Sequence, residues 1–442
     1  MIKINPLLFF SSVLLSTGLL GVAGLAWAET PNPIQHIIVI SLENHSFDNM
    51  FGGFPGADGT ANATYATQTD KNDLPYATLP PVMDTRQIPP ATDSRFPAAL
   101  ANKPFLIEKY IAASDITGDL VHRFTQEQEQ IHGGKMDRFA AVSDAGGLTM
   151  GYFDGSKRGL WQYAKEYTLA DHFFHAAFGG SFLNHIWLVC ACTPRFEHAP
   201  EASIKNGTVT EDGYAVNTVF SVYTPHPPAI KDKTKLLPAQ TAPTIGDRLS
   251  EKQISWAWYS GGWEDAVSGH PDPSFQFHHQ PFAYFSHFAD GTNAKSEHLK
   301  DEKDFLKALN NNTLPSVVFY KPLGEFNLHP GYANMESGDA HAIEILKAIE
   351  KSPAWANSVV IVTFDENGGY WDHVAPPVMD RFGPGTRVPT LIISPFAKKH
   401  FVDHTVYDTT SILKFIEERF VLEPLTSRDA SANNLSNALV LP

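Results

Sequence analysis

Two short apolar runs, residues 34–41 and 358–364, pass straight from β-branched residues into acidic and amide side chains. The first leads into Glu43-Asn44-His45-Ser46-Phe47-Asp48, the second into Asp365-Glu366-Asn367-Gly368-Gly369. Continuous runs of this kind suit strands that are buried on both faces. Three more cover residues 254–259, 316–320 and 388–394. Helical patterns alternate with them. Over residues 340–350 the apolar residues Ala342, Ile345, Leu346 and Ile349 share one helix face, and Pro353 stops the helix. Residues 299–309 predict another helix, and Asp408 is placed to cap a third that buries Ile412, Phe415 and Ile416. Such alternation predicts an α/β fold with a mostly parallel central sheet. A chain of 442 residues, 43% hydrophobic, can build this as one large domain.

The runs at 34–41 and 358–364 also point to chemistry. Ligands in open α/β sheets bind beyond the carboxyl ends of the strands. If these two strands are parallel neighbours, Glu43, Asn44, Asp365 and Glu366 converge there. Packed carboxylates repel unless a positive charge lies between them, and a divalent cation with oxygen ligands resolves the conflict. The alternative is that these residues merely cap the helices that follow. In Gly179-Gly180-Ser181 two glycines allow a sharp turn that presents a serine, which a metal or base can activate as a nucleophile. The same pattern is also common in ordinary loops. Of 19 histidines, His122, the pair His278-His279, His329 and His373 stand out by their neighbours. Imidazoles bind phosphate oxygens and protonate leaving groups, although a single histidine is as readily structural.

The first 28 residues have the make-up of a signal peptide: Lys3, an apolar stretch and Ala26-Trp27-Ala28 before Glu29, with a membrane anchor as the alternative. Cleavage after Ala28 leaves residues 29–442 as the catalytic domain, secreted or periplasmic and without a transmembrane segment. A net charge of -15 disfavours nucleic acid and anionic lipid surfaces as broad electrostatic partners. Cys190 and Cys192 are the two cysteines. With one residue between them they are expected to be buried thiols, and they are too few for a cysteine-rich zinc site. Residues 53–104 and 195–243 break the strand–helix rhythm, and they are expected to be long surface excursions, with 195–243 a possible cap over the site.

Taken together, several segments resemble the bacterial phosphoesterase family of phospholipases C and secreted acid phosphatases. They are the twelve residues from Ser41, Asn-His-Ile-Trp from Asn184, and Phe-Asp-Glu-Asn-Gly-Gly-Tyr-Trp-Asp-His-Val from Phe364. Shorter matches start at Gly133, Lys321, His329 and Val388. The resemblance implies an alkaline-phosphatase-like α/β/α sandwich. It implies one divalent metal, calcium or zinc, held by Glu43, Asn44, Asp365, Glu366 and Ser181. Phosphate binding and proton transfer fall to His122, Asn184, His278, His279 and His329, with His279 or His329 as the acid. Haemolytic-type members carry Arg in place of His45, Thr in place of Ser181, and further C-terminal domains. This chain is therefore expected in the shorter, serine-bearing branch. The expected reaction is phospholipase C cleavage of phospholipids such as phosphatidylcholine, through a phosphoserine. A broad acid phosphatase is the alternative, and an inactive binder of phosphorylated ligands a third. Trp256, Trp258, Trp263, Phe275 and Phe282 could cradle a choline head group, or simply be core.

Overall fold

The structure is a computed structural model that describes residues 1–2, 32–61, 63 and 67–441. Residues 3–28 of the expected signal peptide, with its cleavage site, lie outside the described residues. The chain divides into two units, Met1–Asn32 and Pro33–Pro442, and everything below concerns the second.

Eight strands form the main sheet: β1 (His36–Leu42), β2 (Thr168–Ala170), β3 (Trp256–Ser260), β4 (Leu299–Asp301), β5 (Val317–Lys321), β6 (Ser358–Phe364), β7 (Thr390–Ile393) and β8 (Phe401–Asp403). Their order is β8-β2-β7-β6-β1-β5-β3-β4. From β6 to β4 every pair is parallel. β7 runs antiparallel to both β6 and β2, while β2 and β8 are parallel. The sheet is thus mostly parallel, as the alternating pattern predicts. Every residue of β5 and β6, and all of β1 after His36, is buried. Continuous burial means that both faces are covered, which explains why these strands read as unbroken apolar runs. Each fully buried Ile, Val or Phe contributes roughly 1.5–3 kcal/mol.

Among the helices are α1 (Phe47–Phe51), α2 (Phe124–Ile131), α3 (Ser181–Cys190), α4 (Glu302–Asn310), α5 (Met335–Lys351) and α6 (Thr409–Phe420). α5 buries Ala342, Ile345, Leu346 and Ile349 on one face, as expected, but starts earlier, where the Asn334 side chain accepts from the N–H of Ser337. Asp408 caps α6 with a bond of 2.7 Å from the Thr410 N–H. The expected helix over 299–309 needs correction. Leu299–Asp301 is the edge strand β4, and Asp301 then caps α4 in a capping box with Asp304. The cap resets where the helix starts.

The cysteine expectation also fails. Cys190 and Cys192 form a disulfide with a Cα–Cα separation of 5.1 Å. Ala191 takes a left-handed conformation (φ 48°) at the end of α3 and folds the chain back, so that a bridge closes across one residue. Residues 53–104 are better anchored than a surface loop, since Leu79, Val82, Phe96 and Leu100 are buried in the core.

A buried ion-pair network ties α1 to the segment after β6. The Arg387 guanidinium is fully buried; it donates to Asp372 Oδ1 at 2.8 Å and to Asp48 Oδ1 at 3.1 Å. It also donates to the carbonyls of Asp58 and Asp171, each at 2.8 Å. Asp48 Oδ2 accepts from the N–H of His373 at 2.7 Å and meets its Nδ1 at 2.6 Å. Removing one partner of such a set strands buried charge, at a cost of about 3–5 kcal/mol. Arg387→Met is expected to lower unfolding stability by about that amount in urea titrations, whereas a loss below about 1 kcal/mol would contradict the network's role.

His373 adds a pH dependence. Burial works to lower its pKa, but Asp48 and Asp372 outweigh both burial and Arg387 and raise it to about 8. Its folded value lies above that of the unfolded chain, so its contribution is complete below about pH 6.5 and is lost as pH rises through about 8. Between pH 6 and 9 the urea midpoint of His373→Gln is expected to vary less than that of the parent; parallel curves would be the contrary result.

Candidate active site

The carboxyl ends of β1 and β6 lie side by side, with Leu42 in register with Phe364. The residues that follow each strand therefore meet. The Asp365 N–H donates to the Leu42 carbonyl at 3.1 Å. Glu43, Asn44 and Glu366 are fully buried, and Asp365 nearly so. Gly368 makes the close approach possible: it holds φ +63°, and a Cβ there would lie 2.2 Å from the Asn44 carbonyl oxygen. Its N–H donates to Glu366 Oε2.

The serine arrives from a different part of the chain. Ser181 is the first residue of α3, and Gly179 turns the chain into the helix at φ +88°, where a Cβ would lie 2.4 Å from the Phe124 nitrogen. The Glu127 carboxylate of α2 grips this turn. It accepts from the N–H groups of Gly179 at 2.5 Å and Thr386 at 3.0 Å, and its Oε1 is 2.8 Å from His175 Nε2. Asn184 grips it from the other side: Oδ1 accepts from the Ala177 N–H at 3.0 Å, and Nδ2 donates to the carbonyls of Ala177 and Gly179 at 2.9 and 3.1 Å. So held, Ser181 Oγ stands 3.3 Å from Asn44 Oδ1 and 3.4 Å from Glu366 Oε1.

Charge around the serine is unevenly balanced. Glu43 Oε1 lies 2.5 Å from His279 Nε2 and 2.7 Å from Lys321 Nζ. Glu43 Oε2 accepts from Asn327 Nδ2 at 2.9 Å and the Tyr332 hydroxyl at 3.0 Å. Burial works to raise the Glu43 pKa, but His279 and Lys321 hold it well below the ordinary carboxylate range. Asp365 and Glu366 have less support. Burial raises Asp365 to about 7 against the pull of Lys321, and raises Glu366 to about 8 against the pull of His122.

These residues fit a divalent cation. Oxygens of Asn44, Glu366 and Ser181 face one another, and one ligand atom each from Glu43, His185 and Asp365 lie within 4.8 Å of one another. Glu43 Oε1 and Asp365 Oδ2 are buried and share the Lys321 ammonium, at 2.7 and 3.6 Å. One ammonium against three buried carboxylates leaves negative charge in excess, which a cation would offset.

Beyond the serine opens a cavity of about 480 Å³, lined among others by His122, His278, His329 and Tyr332. His122 Nε2 is 3.9 Å from Glu366 Oε1. Burial works to lower His122, but Glu366 and Asp119 raise it to about 9. His329 stacks on Tyr332 at 4.3 Å, and its ring lies 5.5 Å from that of His122. Burial and the neighbouring His279 hold His278 well below its ordinary value. His279 is pushed down to about 4, chiefly by burial, and lies behind Glu43 rather than in the cavity wall. Asn184, like His279, is absent from the cavity lining. Its amide is committed to the turn before Ser181 and is turned away from the cavity lining.

Of the two readings of Trp256, Trp258, Trp263, Phe275 and Phe282, core packing is the one the structure bears out: all five are buried and none lines the cavity. His373 belongs to the Arg387 network instead of the site. Lys321, His185, Asn327 and Tyr332 join the site beyond the residues that the sequence points to. Two had a signal: Lys321 ends the strand beside β1, just as Phe364 ends β6, and His185 follows Ser181 by one helical turn. Asn327 and Tyr332 sit in a loop after β5, where periodicity says nothing.

The phosphoesterase family model matches residues 34–423. Among curated proteins, a non-hemolytic phospholipase C from Pseudomonas aeruginosa is 24% identical over 92% of this chain and 57% of its own length. Phospholipase C B from Mycobacterium tuberculosis is 24% identical over 91% of this chain and 77% of its own length. This chain thus spans little more than half of the first relative. A protein in the alkaline phosphatase superfamily from Vibrio parahaemolyticus, known from its crystal structure, is similar at 10% identity over 69% of each chain, with a TM-score of 0.36. With the family's pattern spanning the sheet, the serine turn and both acidic strand ends, the chain belongs to the phosphoesterase family.

Proposed function

We propose that this chain is an exported hydrolase of phosphoric esters that works through a phosphoserine on Ser181, of the phospholipase C type and acting on phospholipid phosphodiesters such as phosphatidylcholine. The observation that carries this is the meeting of Ser181 Oγ with Asn44 and Glu366 beside Glu43 and Asp365, at the floor of a histidine-lined cavity. The names of the relatives favour the phospholipid. Among the described residues no helix is long and apolar enough to cross a membrane.

Glu43, Asn44, Ser181, Asp365 and Glu366 would hold one divalent cation, calcium or zinc, which lowers the pKa of an oxygen ligand and offsets phosphate charge. Ser181 Oγ attacks phosphorus in line with the leaving oxygen. His122, positively charged below about pH 9, binds a non-bridging phosphate oxygen. His329 lines the cavity and donates the proton that the departing alcohol needs. His279 and Lys321 keep Glu43 ionised. Water then attacks the phosphoserine and restores the hydroxyl. Asn184 and Glu127 act through the turn that aims Ser181.

A second substrate class is favoured by one observation. Asn206, Thr208, Asn217, Thr218 and Gln276 give the cavity a wall of amides and hydroxyls. Such a wall suits small polar leaving groups, and so a phosphatase acting on monoesters. Four of these five residues come from 195–243, the segment read as a possible cap.

Ser181→Ala is expected to lose about three orders of magnitude or more in kcat while keeping the parent's circular dichroism spectrum; near-normal turnover would rule out the serine as nucleophile. Asp365→Asn is expected to weaken cation affinity at least about tenfold, measured by calorimetry, with activity partly restored at high cation concentration. Unchanged affinity would remove Asp365 from the ligand set. Parallel assays on p-nitrophenyl phosphorylcholine and p-nitrophenyl phosphate separate the substrate classes: faster turnover of the diester supports the phospholipase, and of the monoester the phosphatase.

A further inference from the structure

A second group of imidazoles and carboxylates lies on the flank of the sheet, away from Ser181. Strands β2 and β8 are parallel, with Ala170 in register with Asp403. The residues leaving them, Asp171-His172 and His404, therefore emerge side by side. β7 separates this pair of strands from β6 and its active-site carboxylates. Asp171 is fully buried, His172 is partly exposed, and the His404 side chain is 60% exposed. Asp171 Oδ1 lies 2.8 Å from His172 Nδ1, and Asp171 Oδ2 lies 2.8 Å from His404 Nδ1. One ligand atom from each of the three lies within 4.8 Å of the others.

The outer contacts matter as much. His172 Nε2 is 3.3 Å from Asp58 Oδ2, and the other Asp58 oxygen is 3.3 Å from His373 Nε2. A histidine that ligates a metal through one ring nitrogen commonly gives its other N–H to a carboxylate, which fixes ring and tautomer. Asp58 supplies that partner for His172 and leaves Nδ1 facing Asp171. The backbone N–H of Asp58 in turn donates to Asp171 Oδ2 at 2.7 Å, which fixes the central carboxylate. None of these residues has a part in the chemistry at Ser181.

We propose that Asp171, His172 and His404 form a second metal site, separate from the catalytic one, that takes a divalent transition metal such as zinc, with water as the fourth ligand. Two imidazole nitrogens and one carboxylate oxygen favour zinc over calcium, in contrast to the oxygen-rich set around Ser181. The exposed position of His404 lets the ion enter and leave without opening the core.

The test is calorimetric titration of the untagged full chain with zinc in excess calcium, in an Asp365→Asn background that weakens the catalytic set. One zinc is expected to bind. His172→Asn with His404→Asn is expected to weaken that binding at least about 100-fold while leaving the circular dichroism spectrum unchanged. Cobalt used in place of zinc is expected to give a visible absorption band that the same pair of substitutions abolishes. Zinc binding of equal strength in that variant, or no zinc bound in the Asp365→Asn background, would overturn the proposal. Should the pair disturb folding, His404→Asn alone, at an exposed position, must still lower the affinity.

Discussion

Mutual repulsion among buried carboxylates is the constraint around which the catalytic half of this molecule is arranged. Glu43, Asp365 and Glu366 are brought together because β1 and β6 are parallel neighbours whose ends fall in register. Burial first, and then a neighbouring carboxylate, pushes Asp365 and Glu366 up towards neutrality. The fold answers with Lys321 and His279 at Glu43 and with His122 at Glu366, and under the proposed function a cation would take up the balance. Everything else at the site serves position: Gly368 admits Asn44, and Glu127 with Asn184 fixes the turn that presents Ser181.

Strand ends at the centre and at the flank of the sheet carry different sets of side chains. At β1 and β6 the strand ends deliver carboxylates and an amide to a buried floor. At β2 and β8 they deliver imidazoles and one buried carboxylate to the surface. Between them, Arg387 bonds to Asp372, after β6, and to the carbonyl of Asp171, after β2. One fully buried guanidinium thus ties the segment after β6 to the segment after β2. Its five donors in a rigid plane suit that task better than an ammonium could.

Much of this was legible in the sequence because the central strands are buried on both faces. The run 358–364 coincides with β6, and the acidic residues after it fall where the strand-end rule puts them. Glu43, Asn44, Ser181, Asp365 and Glu366 gather as their types suggested. What escaped was set by contacts that no local pattern records. The edge strand Leu299–Asp301 was hidden in a helical pattern because it is three residues long and defined by pairing with β3. The Cys190–Cys192 bridge depends on a left-handed Ala191 that composition does not announce. Asn184 has the right type for a ligand, but its amide closes the serine turn. The polar cavity wall draws on Asn206, Thr208, Asn217 and Thr218, which lie in a segment without periodicity.

The most direct test of the central claim is anomalous diffraction from crystals grown with a divalent cation and a phosphate analogue such as vanadate. One strong anomalous peak is predicted within about 2.0–2.6 Å of oxygens from Glu43, Asp365 and Glu366, with vanadium on Ser181 Oγ. Density showing the cation away from these three carboxylates, and vanadate clear of Ser181, would contradict it.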